Sequence, residues 1–252
     1  MIKEASLEQF MNRDFPLSLK EIGLDTQSKK YFLTVNAILQ KMGNGCVDEA
    51  IKLRDRILSG IDAGKLLGSG IYNYPKESIH FSIINFKDLS SGLADNQQAF
   101  KFERSQHIKK IKEILENETK EIKAKNIDKA IKFGFIYTLN TDSIALQAFP
   151  SQDLYDFFKK LADKFNEEPI LRTVEIKKNG IEYPRFTVNL ARFFRKLTND
   201  EYNKIAPQIY EVNKEFMDEK NFFQQELSKI SFVVSDNWLS NNDFLIEDYN
   251  LS

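Results

Sequence analysis

The stretch Tyr74-Pro75-Lys76-Glu77-Ser78-Ile79-His80-Phe81-Ser82-Ile83-Ile84-Asn85-Phe86 bears on both the fold class and the candidate chemistry. From Ser78 to Phe86 it is apolar and mostly alternating, which reads as a strand. Side chains on a strand point to its two faces in turn, so His80 and Ser82 share one face. Upstream, Tyr31 to Leu39 is rich in β-branched and aromatic residues and reads as another strand, closed by a Gly43-Asn44-Gly45 turn. Between them Val47, Ala50, Ile51, Ile57, Leu58 and Ile61 recur at helical spacing, and glycines at 60, 64, 68 and 70 interrupt the chain.

Downstream, a polar loop through Ser90-Ser91-Gly92 leads to a charged helix with Ile108, Ile111, Leu115 and Ile122 as its apolar stripe. Ile131 to Leu139 and Ser143 to Phe149 read as a hairpin turning at Asn140-Thr141-Asp142. A helix with Leu154, Phe157, Phe158, Leu161 and Phe165 inward follows, with Ser151 as its N-cap. After an Asn179-Gly180 turn signal, Arg185 to Phe193 reads as a strand. Thr198-Asn199-Asp200-Glu201 is a capping box opening a helix with Tyr202, Ile205, Ile209, Val212 and Phe216 inward. Lys229 to Ser235 is the last strand expected. Helices and strands without regular βα alternation predict an α+β fold with mainly antiparallel pairing. The first 28 residues read as an extension packed on a domain spanning 29–252.

The chain has 252 residues, enough to bury roughly 70–75% of its unfolded surface without staples. One cysteine, Cys46, cannot pair within the chain, and no signal-peptide pattern opens it, so a reducing, cytoplasmic setting is expected. No apolar run approaches the ~20 residues of a membrane span. Lys and Arg number 36 against 37 Asp and Glu, a balance unlike that of a protein gripping long double-stranded nucleic acid. A nucleotide or short RNA remains compatible. With one Cys and two His, no zinc motif is present, no metal or other cofactor is expected, and the spacing of a serine-hydrolase elbow or a phosphate-binding glycine loop is missing. The lysines between 109 and 125 alternate with Glu113, Glu116, Glu118 and Glu121, which favours a salt-bridged solvent face, and His107 among them reads as a solvated position at the start of that helix.

A lone histidine in an apolar strand is ordinarily a half-buried structural residue. Here the segment from Tyr74 to Ile83 resembles the part of the two-histidine (2H) phosphoesterases, the group of 2′-5′ RNA ligases and cyclic phosphodiesterases, in which a proline-containing approach enters a strand bearing His-x-Thr or His-x-Ser. Ile181-Glu182-Tyr183-Pro184-Arg185-Phe186-Thr187-Val188-Asn189-Leu190-Ala191-Arg192 is similar to the family's second segment, and Glu226 to Ser240 with Tyr249-Asn250-Leu251 to its closing strand and tail. The resemblance runs in order along about 220 residues. It implies a two-lobed, pseudo-duplicated fold around a central cleft, and metal-free acid–base chemistry on a short RNA end or cyclic nucleotide with a 2′,3′-cyclic phosphate or 2′-5′ linkage. It also implies His80 as acid or base, with Ser82 orienting the phosphoryl group.

The second motif departs from the family. Thr187 stands where the second histidine belongs and Asn189 where the second Ser/Thr belongs. Threonine cannot shuttle protons near neutral pH, but Thr187, Asn189 and Arg192 still suit binding of a substrate phosphate. Tyr72, Tyr74 and Tyr183 precede the motif strands, where they can stack on a base or pack in the rim. Three readings follow: an active 2H-type phosphoesterase, a degenerate 2H domain that binds a nucleotide or phosphorylated ligand without turnover, or an interaction protein with a Phe-rich core. The first two require the strands of His80 and Thr187 to be neighbours.

Overall fold

The computed structural model describes residues 32–43, 45–59, 71–86, 97–139, 143–171, 186–193, 196–235 and 244–252. The expected N-terminal extension, the glycine-rich stretch 60–70, the Ser90-Ser91-Gly92 loop, the Asn140-Thr141-Asp142 turn, the Asn179-Gly180 turn and Tyr183 lie outside them.

The elements run β1 (Phe32–Ile38), α1 (Cys46–Ser59), β2 (Ile71–Asn73), β3 (His80–Asn85), α2 (Gln97–Lys123), β4 (Ala130–Leu139), β5 (Ser143–Pro150), α3 (Gln152–Asn166), β6 (Phe186–Phe193), α4 (Asn199–Glu215), β7 (Phe223–Glu226), β8 (Lys229–Ser235) and β9 (Phe244–Asn250). The fold is α+β. The strands join one sheet in the order β7-β4-β5-β6-β3-β1-β8-β9, with β2 also on β6. Every pairing is antiparallel.

One face of this sheet is the core. Phe133, Leu146, Ala148, Val188, Phe81 and Ala37 lie on it, each no more than 1% exposed. Aromatic rings of the sheet and of α3 meet on it: Phe186 of β6 lies 5.4 Å from Phe81 and 5.6 Å from Phe158 of α3, and Phe86 meets Phe165 of α3 at 4.9 Å. Each such ring removes 150–250 Å² from water, so this layer supplies much of the drive to fold. The expected caps are present: the Ser151 hydroxyl accepts from Leu154 N, and Thr198 and Glu201 form the reciprocal capping box.

Several expectations need correction. β8 is not the last strand, because β9 pairs with it, and β2 and β7 are further strands too short to show a period. Tyr202 is 38% exposed rather than inward. His107 is not a solvated residue at a helix start. Its helix begins at Gln97, and the ring is 4% exposed on the stripe of Ile111 and Leu115, one turn apart. The lysines of α2 do pair with carboxylates, Lys125 with Glu121 at 2.7 Å and Lys112 with Glu247 of β9 at 2.8 Å.

Candidate functional site at the β3–β6 seam

Strands β3 and β6 are neighbours, and their register is set by the pair Phe81↔Val188. Both of these side chains enter the core. Alternation therefore sends His80 and Ser82, on either side of Phe81, and Thr187 and Asn189, on either side of Val188, to the opposite, polar face. Antiparallel geometry sets Ser82 beside Thr187 and His80 beside Asn189. The row continues on the other side of β3, where Ile38 opposes His80 and Asn36 opposes Ser82.

The approach to His80 is local. Pro75 holds extended backbone (φ −66°, ψ 154°) ahead of a short 3-10 turn, and Ser78 N donates to Pro75 O at 2.9 Å. Nδ1 of His80 lies 2.7 Å from Ser78 O. A carbonyl only accepts, so Nδ1 carries the hydrogen and a neutral ring keeps its lone pair on Nε2. A base needs that arrangement. His80 and Ser82 are half-buried.

Thr187 is fixed from farther away. Its hydroxyl lies 2.6 Å from the hydroxyl of Tyr137, which stands on β4, two strands over. Tyr137 opposes Ala145, and Ala145 opposes Asn189; the small alanine leaves room for the ring to lean across β5. A bulge between Gly134 and Ile136 makes this possible. Gly134 opposes Gln147 on the polar face, so unbroken alternation would turn residue 137 into the core; the extra residue, Phe135 at φ 58°, turns Ile136 inward and Tyr137 outward. The bulge is braced. Asn213 of α4 accepts from Ile136 N and donates to Ile136 O, both at 2.7 Å, closing the β4 edge beyond the end of β7.

Arg192 reaches the same polar face after a second bulge, between Ile144 and Ala145, that skips Leu190. It opposes Ser143 of β5 and Tyr72 of β2. Tyr74 is 4% exposed and meets Tyr72 edge-on at 5.1 Å, so it supports the rim and has no open face on which a base can stack. Two buried side-chain oxygens that find no hydrogen-bond partner, Asn36 Oδ1 and Asn189 Oδ1, also sit here. An orphaned buried acceptor costs about 1–3 kcal/mol and calls for a donor. Beyond Asn36, Ser231 donates to Asp248 Oδ1 at 2.6 Å and Lys41 pairs with the same carboxylate at 2.7 Å. Burial raises the Asp248 carboxyl, but the Lys41 and Ser231 contacts outweigh it and leave it below its ordinary range.

Tyr137 and Asn36 escape sequence reasoning, since neither lies near a motif and only strand order brings them in. His107 takes no part in this face; α2 approaches from the core side through Lys112 and Glu247, the neighbour of the polar-face Asp248. Cys46 is buried, and its thiol is pushed up to about 12 by burial, far from a nucleophile's range. Among the described residues no group of three His, Cys, Asp or Glu is placed to hold a metal ion, and no helix is long and apolar enough to cross a membrane.

No family model matches the chain, and no curated protein matches it. Among solved structures it is similar to Usb1 from Kluyveromyces marxianus, at 10% identity over 88% of this chain and 98% of that chain, with a TM-score of 0.36. A likeness that loose identifies neither a fold nor an activity.

Proposed function

We propose that the polar face at the β3–β6 seam is a phosphodiester cleft of the two-histidine kind, acting on a short RNA end or a cyclic nucleotide with a 2′,3′-cyclic phosphate or 2′-5′ linkage. The Phe81↔Val188 pair carries this reading, because it brings the two motif segments, 107 residues apart (188 − 81), side by side with their functional positions on one face. On this reading residues 29–252 form one bilobal domain split at the seam, with β7-β4-β5-β6 on one side and β3-β1-β8-β9 on the other.

His80 Nε2 then exchanges the proton of the attacking water or hydroxyl, Ser82 and the Asn189 amide hydrogen-bond phosphoryl oxygens, and Arg192 offsets their charge, with no metal. The acceptors Asn36 Oδ1 and Asn189 Oδ1 favour a ligand that also brings donors, as sugar hydroxyls and base amino groups do.

One observation favours a second reading, a domain that binds such a ligand without turnover: position 187 offers only a hydroxyl, already engaged by Tyr137. Turnover of 2′,3′-cyclic nucleotides and 2′-5′-linked oligonucleotides by the full chain decides between them. His80→Ala is expected to lower the rate about 10²–10⁴-fold. Identical traces would sink the enzyme reading. Calorimetric titration of the same ligands against Ser82→Ala, Asn189→Ala and Arg192→Ala would then show weakened binding if the cleft is real, and no change if the ligand class is wrong.

A further inference from the structure

We infer that Tyr137 supplies the second acid–base group of this cleft, in the space that Thr187 leaves; the inference rests on the phosphoesterase reading above and names the group it lacks. Threonine is much smaller than histidine, so a substitution at position 187 opens room directly over β6, beside Ser82. The Tyr137 hydroxyl occupies that room, 2.6 Å from Thr187 Oγ1. It is aimed there by three features: the bulge at Phe135 that turns it to the polar face, the Asn213 clamp on Ile136, and the small Ala145 beneath its path. Bulges commonly re-aim a side chain beside a working site, and a bulky residue at positive φ is held only where its surroundings over-determine it.

A phenol does what threonine cannot. A phenolic hydroxyl carries a proton that it can give up to an alkoxide leaving group, which is the stronger base. In the step inferred, water loses a proton to His80 Nε2 as its oxygen bonds to phosphorus. The ester P–O bond breaks with its electron pair going to the leaving sugar oxygen, which takes the Tyr137 proton. The proton on His80 then returns to the Tyr137 phenolate through water, and no charge or electron is left over. Thr187, bonded to the same hydroxyl, orients it as a positioning residue.

The test compares two substrates that differ in their need for an acid. In a nucleoside 2′,3′-cyclic phosphate the leaving ribose hydroxyl requires a proton, whereas thymidine 5′-p-nitrophenyl phosphate expels p-nitrophenolate without one. Tyr137→Phe is expected to slow the cyclic nucleotide about 10²–10⁴-fold, with a loss at least ~10-fold smaller on the nitrophenyl ester. It should also abolish a high-pH limb of the rate profile for the cyclic nucleotide. Thr187→His in the Tyr137→Phe background, which restores an imidazole, should recover part of the loss. Equal losses on both substrates would mean that Tyr137 only supports the fold, and no loss on either would mean that it is idle; each overturns this inference while a slowed His80→Ala keeps the cleft. If His80→Ala is as fast as the parent, or the parent turns over neither substrate, the phosphoesterase reading falls and this inference with it.

Discussion

The β3 and β6 halves of the seam present the same geometry with different chemistry. On β3, the imidazole is oriented by its own neighbourhood: Nδ1 of His80 bonds to Ser78 O, two residues away in the chain. On β6, Thr187 depends on Tyr137, 50 residues away, and Tyr137 depends in turn on Asn213, 77 residues from its partner Ile136. The first half is built by a turn and a strand and can be read locally. The second is built by strand order, a bulge and a helix, and the backbone pairing of β6 does not involve the side chain at position 187. A local arrangement is lost when its own residue changes, whereas a long-range one is also open to re-aiming by residues far away in the chain.

The comparison can be tested by perturbing each half. The largest effect should come from Phe81→Ala, which removes a ring that is 1% exposed and touches Phe133 and Phe186 at the seam itself. A loss of about 3–5 kcal/mol in urea unfolding is expected, with both halves of the site damaged together. A loss under ~1 kcal/mol would mean that the seam is not packed as described.

A smaller effect, confined to the β6 half, should follow Asn213→Ala. It strips both partners from Ile136, costing about 1–3 kcal/mol, and frees the bulge that aims Tyr137. Amide exchange should rise at Ile136 and Tyr137 while His80 and its strand stay protected. Equal exchange in both strands would deny that the halves are supported separately.

The smallest is a pH effect at the β8–β9 edge, which lies beyond β1 from β3. The Asp248 carboxyl lies below its ordinary value of 3.8 despite the burial that opposes the shift, because Lys41 and Ser231 stabilise the charged form. A depressed folded-state value contributes stability that is complete above pH 3.8 and is lost as pH falls through the folded value. Asp248→Asn should therefore remove about 0.2–1 kcal/mol at neutral pH and nearly nothing in strong acid. A difference that persists unchanged into acid would assign the effect to packing instead of charge.

Much of the fold was legible from periodicity. The alternation at 78–86 and 185–193, the stripe of the third helix and the box at Thr198 each reflect short-range physics, in which neighbouring side chains choose a face or cap an end. The misses have physical reasons too. β2 and β7 hold 3 and 4 residues, too few to display a period, and exist because β6 and β4 offer them edges. His107 looked solvated because its sequence neighbours are lysines, yet helical spacing places it over Ile111 on the buried stripe.

The site divides along the same line. By itself the sequence determined that His80 and Ser82 share a face, that position 187 lacks an imidazole, and that the chemistry at hand is one imidazole with hydroxyl, amide and guanidinium groups, with no thiolate or metal cluster suggested. Only the tertiary structure decided that β3 and β6 lie side by side, that Asn36 faces Ser82, and that the bulge at Phe135 rotates Tyr137 onto the polar face beside Thr187. One inserted residue reverses every side chain beyond it, and nothing in the local pattern Phe133-Gly134-Phe135-Ile136-Tyr137 says which strand will oppose it or where the register will slip.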